Sequence, residues 1–168
     1  MKLLVIRHGP AGDPEAWKEE GRDDRLRPLT PEGKKEMRKA AAGLATLIPE
    51  LDVLVTSPLV RASQTAEIVG KHYNCEIATD DSLLPDQDPE KTARAIRERG
   101  PSDTVAVVGH EPHLSRFVSY LLAGKRESFI DLKKGGACLL DLERPASASA
   151  TLNWLLTRRE LIQLGETR

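Results

Sequence analysis

The sequence predicts an α/β protein, a three-layer α/β/α sandwich around a mostly parallel central sheet with one antiparallel edge. Three short apolar runs rich in branched residues, LLVI at 3–6, DVLVT at 52–56 and TVAVVG at 104–109, have the pattern of strands covered on both faces. They lie far apart in the chain, so helical crossovers must join them. Two further runs, at 137–142 and 151–156, follow each other too closely for a helix and read as a hairpin at the sheet edge.

The crossovers are legible in order. Thr30 is placed to cap a helix whose first residue is Pro31, and Met37, Ala41, Leu44 and Ile48 keep an apolar stripe until Pro49 stops it. Further helices are expected over about 60–72, 89–99 and 114–122, and small residues around 145–149 turn the terminal hairpin. The stretch 10–28 fits neither period. It carries ten charged residues and reads as a long loop, which in a compact domain is usually functional.

Composition bounds the function classes. A chain of 168 residues, 39% hydrophobic and 30% charged, is expected to form one domain over 1–168. With 25 basic and 26 acidic residues the net charge is -1, which argues against nucleic acid as a partner. The first apolar run is too short to cross a membrane. Cys75 and Cys138 have no metal-ligand spacing, and with no leader segment evident a reducing cytoplasm is expected.

Chemistry gathers at the predicted strand ends, where open α/β sheets bind ligands. Arg7, His8 and Gly9 follow the first strand, Ser57 and Arg61 the second, and His110 and Glu111 the third. Two guanidiniums can grip a phosphoryl group bidentately and stabilise its transition state without a metal. A neutral imidazole beside them is a nucleophile toward phosphorus. The second imidazole can donate to the transferring group, and Gly9 lets backbone approach the oxyanion without a Cβ. Ser57 either binds phosphate or caps the helix after Pro58. His113 and His72 read as helix residues outside the site and Trp154 as strand packing. Trp17, Arg25 and Arg27 belong to the loop, where the tryptophan could touch substrate and the arginines attract an acidic phosphoprotein.

Arg7-His8-Gly9, the stretch SPLVRASQTA at 57–66 and VGHEP at 108–112 together resemble the histidine phosphatase, or phosphoglycerate mutase-like, superfamily. Within it, the short length, RPLT at 27–30 and the Gly-His-Glu-Pro stretch look most like the SixA-type phosphohistidine phosphatases. The resemblance implies that His8 is the phosphorylated nucleophile and that Arg7, Arg61 and His110 complete the phosphate pocket. It implies a bacterial cytosolic setting; no cofactor and a monomer are the further expectations.

A general acid does not stand out. Asp86, Glu111 and Asp13 are all candidates. Ester cleavage needs a proton for the departing alkoxide, whereas imidazole, with a conjugate-acid pKa near about 6.5, leaves with far less help. Only 48 residues separate Arg61 from His110, leaving no room for a large insertion over the site. The expected partner is therefore a phosphotransfer or phosphorelay protein carrying a phosphorylated histidine. A small-molecule phosphomonoesterase and a non-catalytic phosphoprotein-binding module are the alternatives.

Overall fold

The structure, a computed structural model, describes residues 1–167. Its elements run β1 (Lys2–Arg7), α1 (Pro14–Glu19), α2 (Pro31–Leu47), β2 (Val53–Thr56), α3 (Val60–Gly70), β3 (Glu76–Thr79), α4 (Pro89–Glu98), β4 (Thr104–Gly109), α5 (His113–Ala123), β5 (Ala137–Leu142), β6 (Ala150–Leu156) and α6 (Arg158–Glu166). One six-stranded sheet has the order β3-β2-β4-β1-β5-β6. The first four are parallel, β5 runs antiparallel to β1, and β6 runs antiparallel to β5. This is the predicted three-layer fold with its antiparallel edge.

Both faces of the sheet are covered, which is why β1 is apolar at every interior position: Leu3, Leu4, Val5 and Ile6 are all 0% exposed. Leu4 and Ile6 pack with Met37, Ala40 and Leu44 of α2, Ala62, Ala66 and Val69 of α3, and Leu161 of α6. Leu3 and Val5 face the other way, onto Ala93 and Ile96 of α4 and Leu114, Phe117 and Leu121 of α5. Among the described residues, no helix is long and apolar enough to cross a membrane.

Three elements depart from the sequence reading. The stretch 10–28 is not structureless: Asp13 caps α1, which begins at Pro14, and Asp23 caps a 3-10 turn over Asp24–Leu26. Both are too short to display a helical stripe, and neither buries a residue. An isolated bridge between Ala11 and Leu29 closes the base of this segment. β3 went unpredicted because it is an edge strand, mostly exposed, with no apolar run. α6 also went unpredicted, although Thr157 and Glu160 form a capping box that sequence alone displays.

α6 docks on α2 at backbone distance. A Cβ at Gly43 would lie 1.9 Å from the Leu161 carbonyl oxygen, and Gly165 faces the same helix. Gly43→Ala must therefore push α6 away. The expected cost is about 1–3 kcal/mol, the usual range for overpacking, read as a lower urea midpoint at unchanged slope.

Candidate active site

Strand register brings the predicted residues level. Arg7 of β1 pairs with Gly109 of β4, and Thr56 of β2 pairs with Val108 of β4. The next residue of each chain stays in the pattern: the His8 amide donates to the Gly109 carbonyl at 3.0 Å and the Ser57 amide to the Val108 carbonyl at 2.9 Å. His8, Ser57 and His110 thus leave three adjacent strands at one edge. Their ring partners follow from that, with the His8 and His110 centroids 5.0 Å apart and the rings tilted by 52°.

His8 is buried, and its Nδ1 lies 2.7 Å from the Gly9 carbonyl oxygen. A carbonyl only accepts, so Nδ1 carries the proton of the neutral ring and Nε2 keeps its lone pair. Burial, reinforced by the charges of Arg61, Arg7 and Arg27 and opposed by the Gly9 hydrogen bond, lowers the His8 pKa to about 3. His8 is therefore a neutral imidazole at any physiological pH. Burial first, then His8 and Arg61, takes His110 down to about 2.

Ser57, expected as phosphate ligand or cap, does not cap α3, whose N-cap Leu59 has no side-chain bond. Fully buried, its Oγ accepts the Leu59 amide at 3.3 Å and lies 2.7 Å from His110 Nε2. The hydroxyl has a proton it can give to Nε2, and in that arrangement the neutral His110 ring carries its own proton on Nδ1. Ser57 is thus hydrogen-bonded to the His110 ring.

Three arginines bear on His8. Arg7 Nη1 donates to the Leu132 carbonyl at 3.0 Å. Arg61 leaves the first turn of α3 and donates to Asp24 twice, from Nη1 to the backbone oxygen at 2.9 Å and from Nη2 to Oδ2 at 3.1 Å. Arg27, only 8% exposed, donates from Nε to Asp24 Oδ1 at 2.8 Å and from Nη1 to the Gly12 carbonyl at 2.6 Å. Sequence reasoning gave Arg27 only the attraction of an acidic phosphoprotein from the loop and did not single out Asp24. The 3-10 turn and the Ala11–Leu29 bridge bring both inward, and no pattern in the sequence reports that.

Polar bookkeeping in this pocket does not close. Among the described residues, four buried side-chain polar atoms lack a hydrogen-bond partner: Arg7 Nε, Arg61 Nε, His110 Nδ1 and Ser82 Oγ. Three of the four belong to the predicted phosphate pocket. An unpaired buried donor costs about 1–3 kcal/mol, so three in one place call for an acceptor, and beside three guanidiniums that acceptor is an oxyanion.

The other candidates sort clearly. The Gly9 amide is already spent on Thr65 Oγ1 at 3.1 Å, so it is not free to meet an oxyanion as expected. Glycine is needed there because a Cβ would lie 2.3 Å from Met37 Cγ. Thr65 in turn donates to the Arg61 carbonyl at 2.8 Å, tying the His8 loop to α3. Glu111 is half-buried, accepts from the Ser115 amide at 3.2 Å and from Ser115 Oγ, and feels Arg7; burial outweighs these and raises its pKa. Asp86 makes no recorded bond to the four core residues. It lines a separate groove of about 600 Å³ with Gln87, Pro112, Arg116 and Arg126. Asp13 is taken up as the α1 cap. His113 is a buried tie between α4 and α5, 2.8 Å from Thr92 Oγ1, and His72 is exposed. Trp17 stacks under Arg22 and donates to the Asp23 carbonyl, while Trp154 packs on the core.

Comparison with known proteins agrees with this geometry. A model of the histidine phosphatase superfamily (branch 1) matches residues 3–84. An uncharacterized protein of Picosynechococcus is 30% identical over 142 residues, 81% of this chain and 82% of that one. The phosphohistidine phosphatase SixA of Escherichia coli is 27% identical over 164 residues, 94% of each chain. A solved structure of the protein histidine phosphatase SixA with tungstate superposes with a TM-score of 0.80 at 27% identity, covering 96% of this chain and 99% of that one. A phosphoserine phosphatase from Entamoeba histolytica, 16% identical, shares the fold at a TM-score of 0.72 over 95% of this chain and 98% of its own.

The two depressed imidazoles make stability pH-dependent. Between the ordinary value near 6.5 and the folded values of about 3 and about 2, the unfolded chain binds more protons than the folded one. Their contribution is complete above pH 6.5 and is lost as pH falls through that window, at up to about 1.4 kcal/mol per pH unit for each ring. Urea unfolding of the wild type and of His8→Asn/His110→Asn across pH 7 to 4 should show a steeper loss in the wild type.

Proposed function

This chain belongs to the histidine phosphatase superfamily, and we propose that it is a phosphohistidine phosphatase acting on histidine-phosphorylated phosphotransfer or phosphorelay proteins. The observation that carries this reading is the set of orphaned donors on Arg7, Arg61 and His110 around a neutral His8. Likeness to SixA along nearly the whole chain supports the substrate class.

In the first step His8 Nε2 attacks phosphorus in line as the substrate's P–N bond breaks, and the substrate ring, protonated from solvent on its far nitrogen beforehand, departs as neutral imidazole. In the second, water attacks phosphorus of phosphorylated His8, releasing inorganic phosphate and restoring the neutral ring. Arg7, Arg61 and the His110 Nδ1–H hold the equatorial oxygens through both steps, and Arg27 adds charge beside them. The Gly9 carbonyl keeps the proton of His8 on Nδ1, so that Nε2 enters and leaves the cycle as the nucleophile.

The test compares phosphate release from a histidine-phosphorylated phosphotransfer domain and from p-nitrophenyl phosphate, by wild type and by His8→Ala. Fast release from the protein, slow release from the ester and loss of at least about a thousandfold in His8→Ala are expected, the loss typical of removing a nucleophile. Comparable turnover of both substrates would make the enzyme a general phosphomonoesterase; turnover by His8→Ala would refute the mechanism.

One observation favours that second reading. Glu111, with its pKa raised by burial next to Arg7, is the carboxyl that could protonate an alkoxide. Glu111→Gln should then depress ester hydrolysis by about 10²-fold or more while leaving P–N cleavage within a few-fold, because an imidazole ring can be protonated by solvent before it leaves whereas an alkoxide needs its proton in the transition state.

A further inference from the structure

The electrostatics of the pocket single out a residue that neither the strand-end motifs nor the proposed chemistry assigns. Arg61 and Arg27 lie close enough for each Arg27 charge to depress the Arg61 guanidinium, second only to burial. Their side chains are 5% and 10% exposed, so water screens them poorly. Asp24 supplies the compensating charge. Its two carboxylate oxygens divide between them, Oδ1 on Arg27 Nε at 2.8 Å and Oδ2 on Arg61 Nη2 at 3.1 Å, as two oxygens of a phosphoryl group would. Burial pushes the Asp24 pKa up, but the Arg27 and Arg61 contacts outweigh it and hold the carboxylate ionised.

Asp24 is also the member of this trio that is free to leave. Its side chain is 55% exposed, and it sits in a one-turn 3-10 helix with no buried residue, next to Leu26 at 61% exposure. The turn is capped by Asp23, so its backbone does not depend on the Asp24 carboxylate. The Arg61 Nη1 bond goes to the Asp24 backbone oxygen and survives loss of the side-chain charge.

We infer that Asp24 is an internal competitor of phosphate: its carboxylate holds Arg61 and Arg27 while the pocket is empty and re-engages them to drive product phosphate out. The inference rests on the pocket being a phosphate site. A doubly charged anion beside Asp24 would meet a third negative charge at short range, so phosphate binding and the Asp24 contacts exclude each other. Phosphate bound in the pocket therefore gains only the difference between its own contacts and those it displaces. Weak product binding follows, which keeps free phosphate from occupying the site between turnovers. The arriving phosphoprotein overcomes the same competition with contacts that free phosphate lacks.

Affinity for inorganic phosphate, measured by titration calorimetry at fixed ionic strength, tests this without reference to turnover. Asp24→Asn keeps the shape and removes the charge, and Asp24→Ala removes both. Each should bind phosphate about tenfold tighter than wild type, which is about 1.4 kcal/mol. Phosphate should inhibit p-nitrophenyl phosphate hydrolysis by both variants with an inhibition constant lowered by the same factor. Glu20→Gln removes an exposed acid of the same loop that pairs with Arg22 instead, and should change affinity less than twofold. Unchanged or weaker binding in both Asp24 variants would overturn the inference and make Asp24 a buttress that fixes the arginines. An equal gain in Glu20→Gln would overturn it too, by reducing the effect to net charge. If wild type and variants all fail to bind phosphate at millimolar concentrations, the inference is overturned, while loss of the phosphatase reading is read separately from turnover of the phosphohistidine substrate.

Discussion

Protonating an imidazole buried among guanidiniums is expensive, and that cost organises the pocket. His8 has Arg7, Arg27 and Arg61 around it and almost no water, so its neutral form is enforced by burial and by charge together. A neutral ring has one proton, and the Gly9 carbonyl claims it. The reactive nitrogen is thereby chosen without any side chain acting as a base. The same guanidiniums need an anion to be comfortable at such low exposure, so a site that keeps its central imidazole uncharged also has a standing demand for negative charge.

The fold was legible wherever burial was two-sided. β1, β2 and β4 are apolar because helices cover both faces, and the crossovers could be placed from caps and stripes at Thr30, Pro31 and Pro89. What stayed hidden was one-sided or very short. β3 is held by its pairing with β2 more than by its own side chains, and α1 and the 3-10 turn rest on Asx caps and a tryptophan contact rather than on an apolar face. α6 is a different case: its capping box was in plain view and only its short, mixed composition concealed it.

The site divides along the same line. Residues at strand ends, namely Arg7, His8 and His110, follow from topology once the strands are right, and Arg61 follows from the helix that starts just after β2. Residues delivered by the irregular segment do not. Arg27 and Asp24 reach the pocket through a bridge between Ala11 and Leu29 and a single turn of backbone, neither of which leaves a periodic trace. Gly9 illustrates a third situation: it was singled out as room for an oxyanion, whereas here the missing Cβ makes room for Met37 and the amide serves Thr65.

The Thr65 hydroxyl stands between two parts of the pocket that are distant in sequence, accepting from the Gly9 amide and donating to the Arg61 carbonyl. It has one proton to give and uses it, so neither bond has slack. The His8 loop and the helix bearing Arg61 therefore behave as one mechanical part. Homologous chains are then free to vary the rim, the edge strand and the outer helices independently. Drift at the Gly9 turn or in the first turn of α3, by contrast, has to be matched on the other side of that single oxygen.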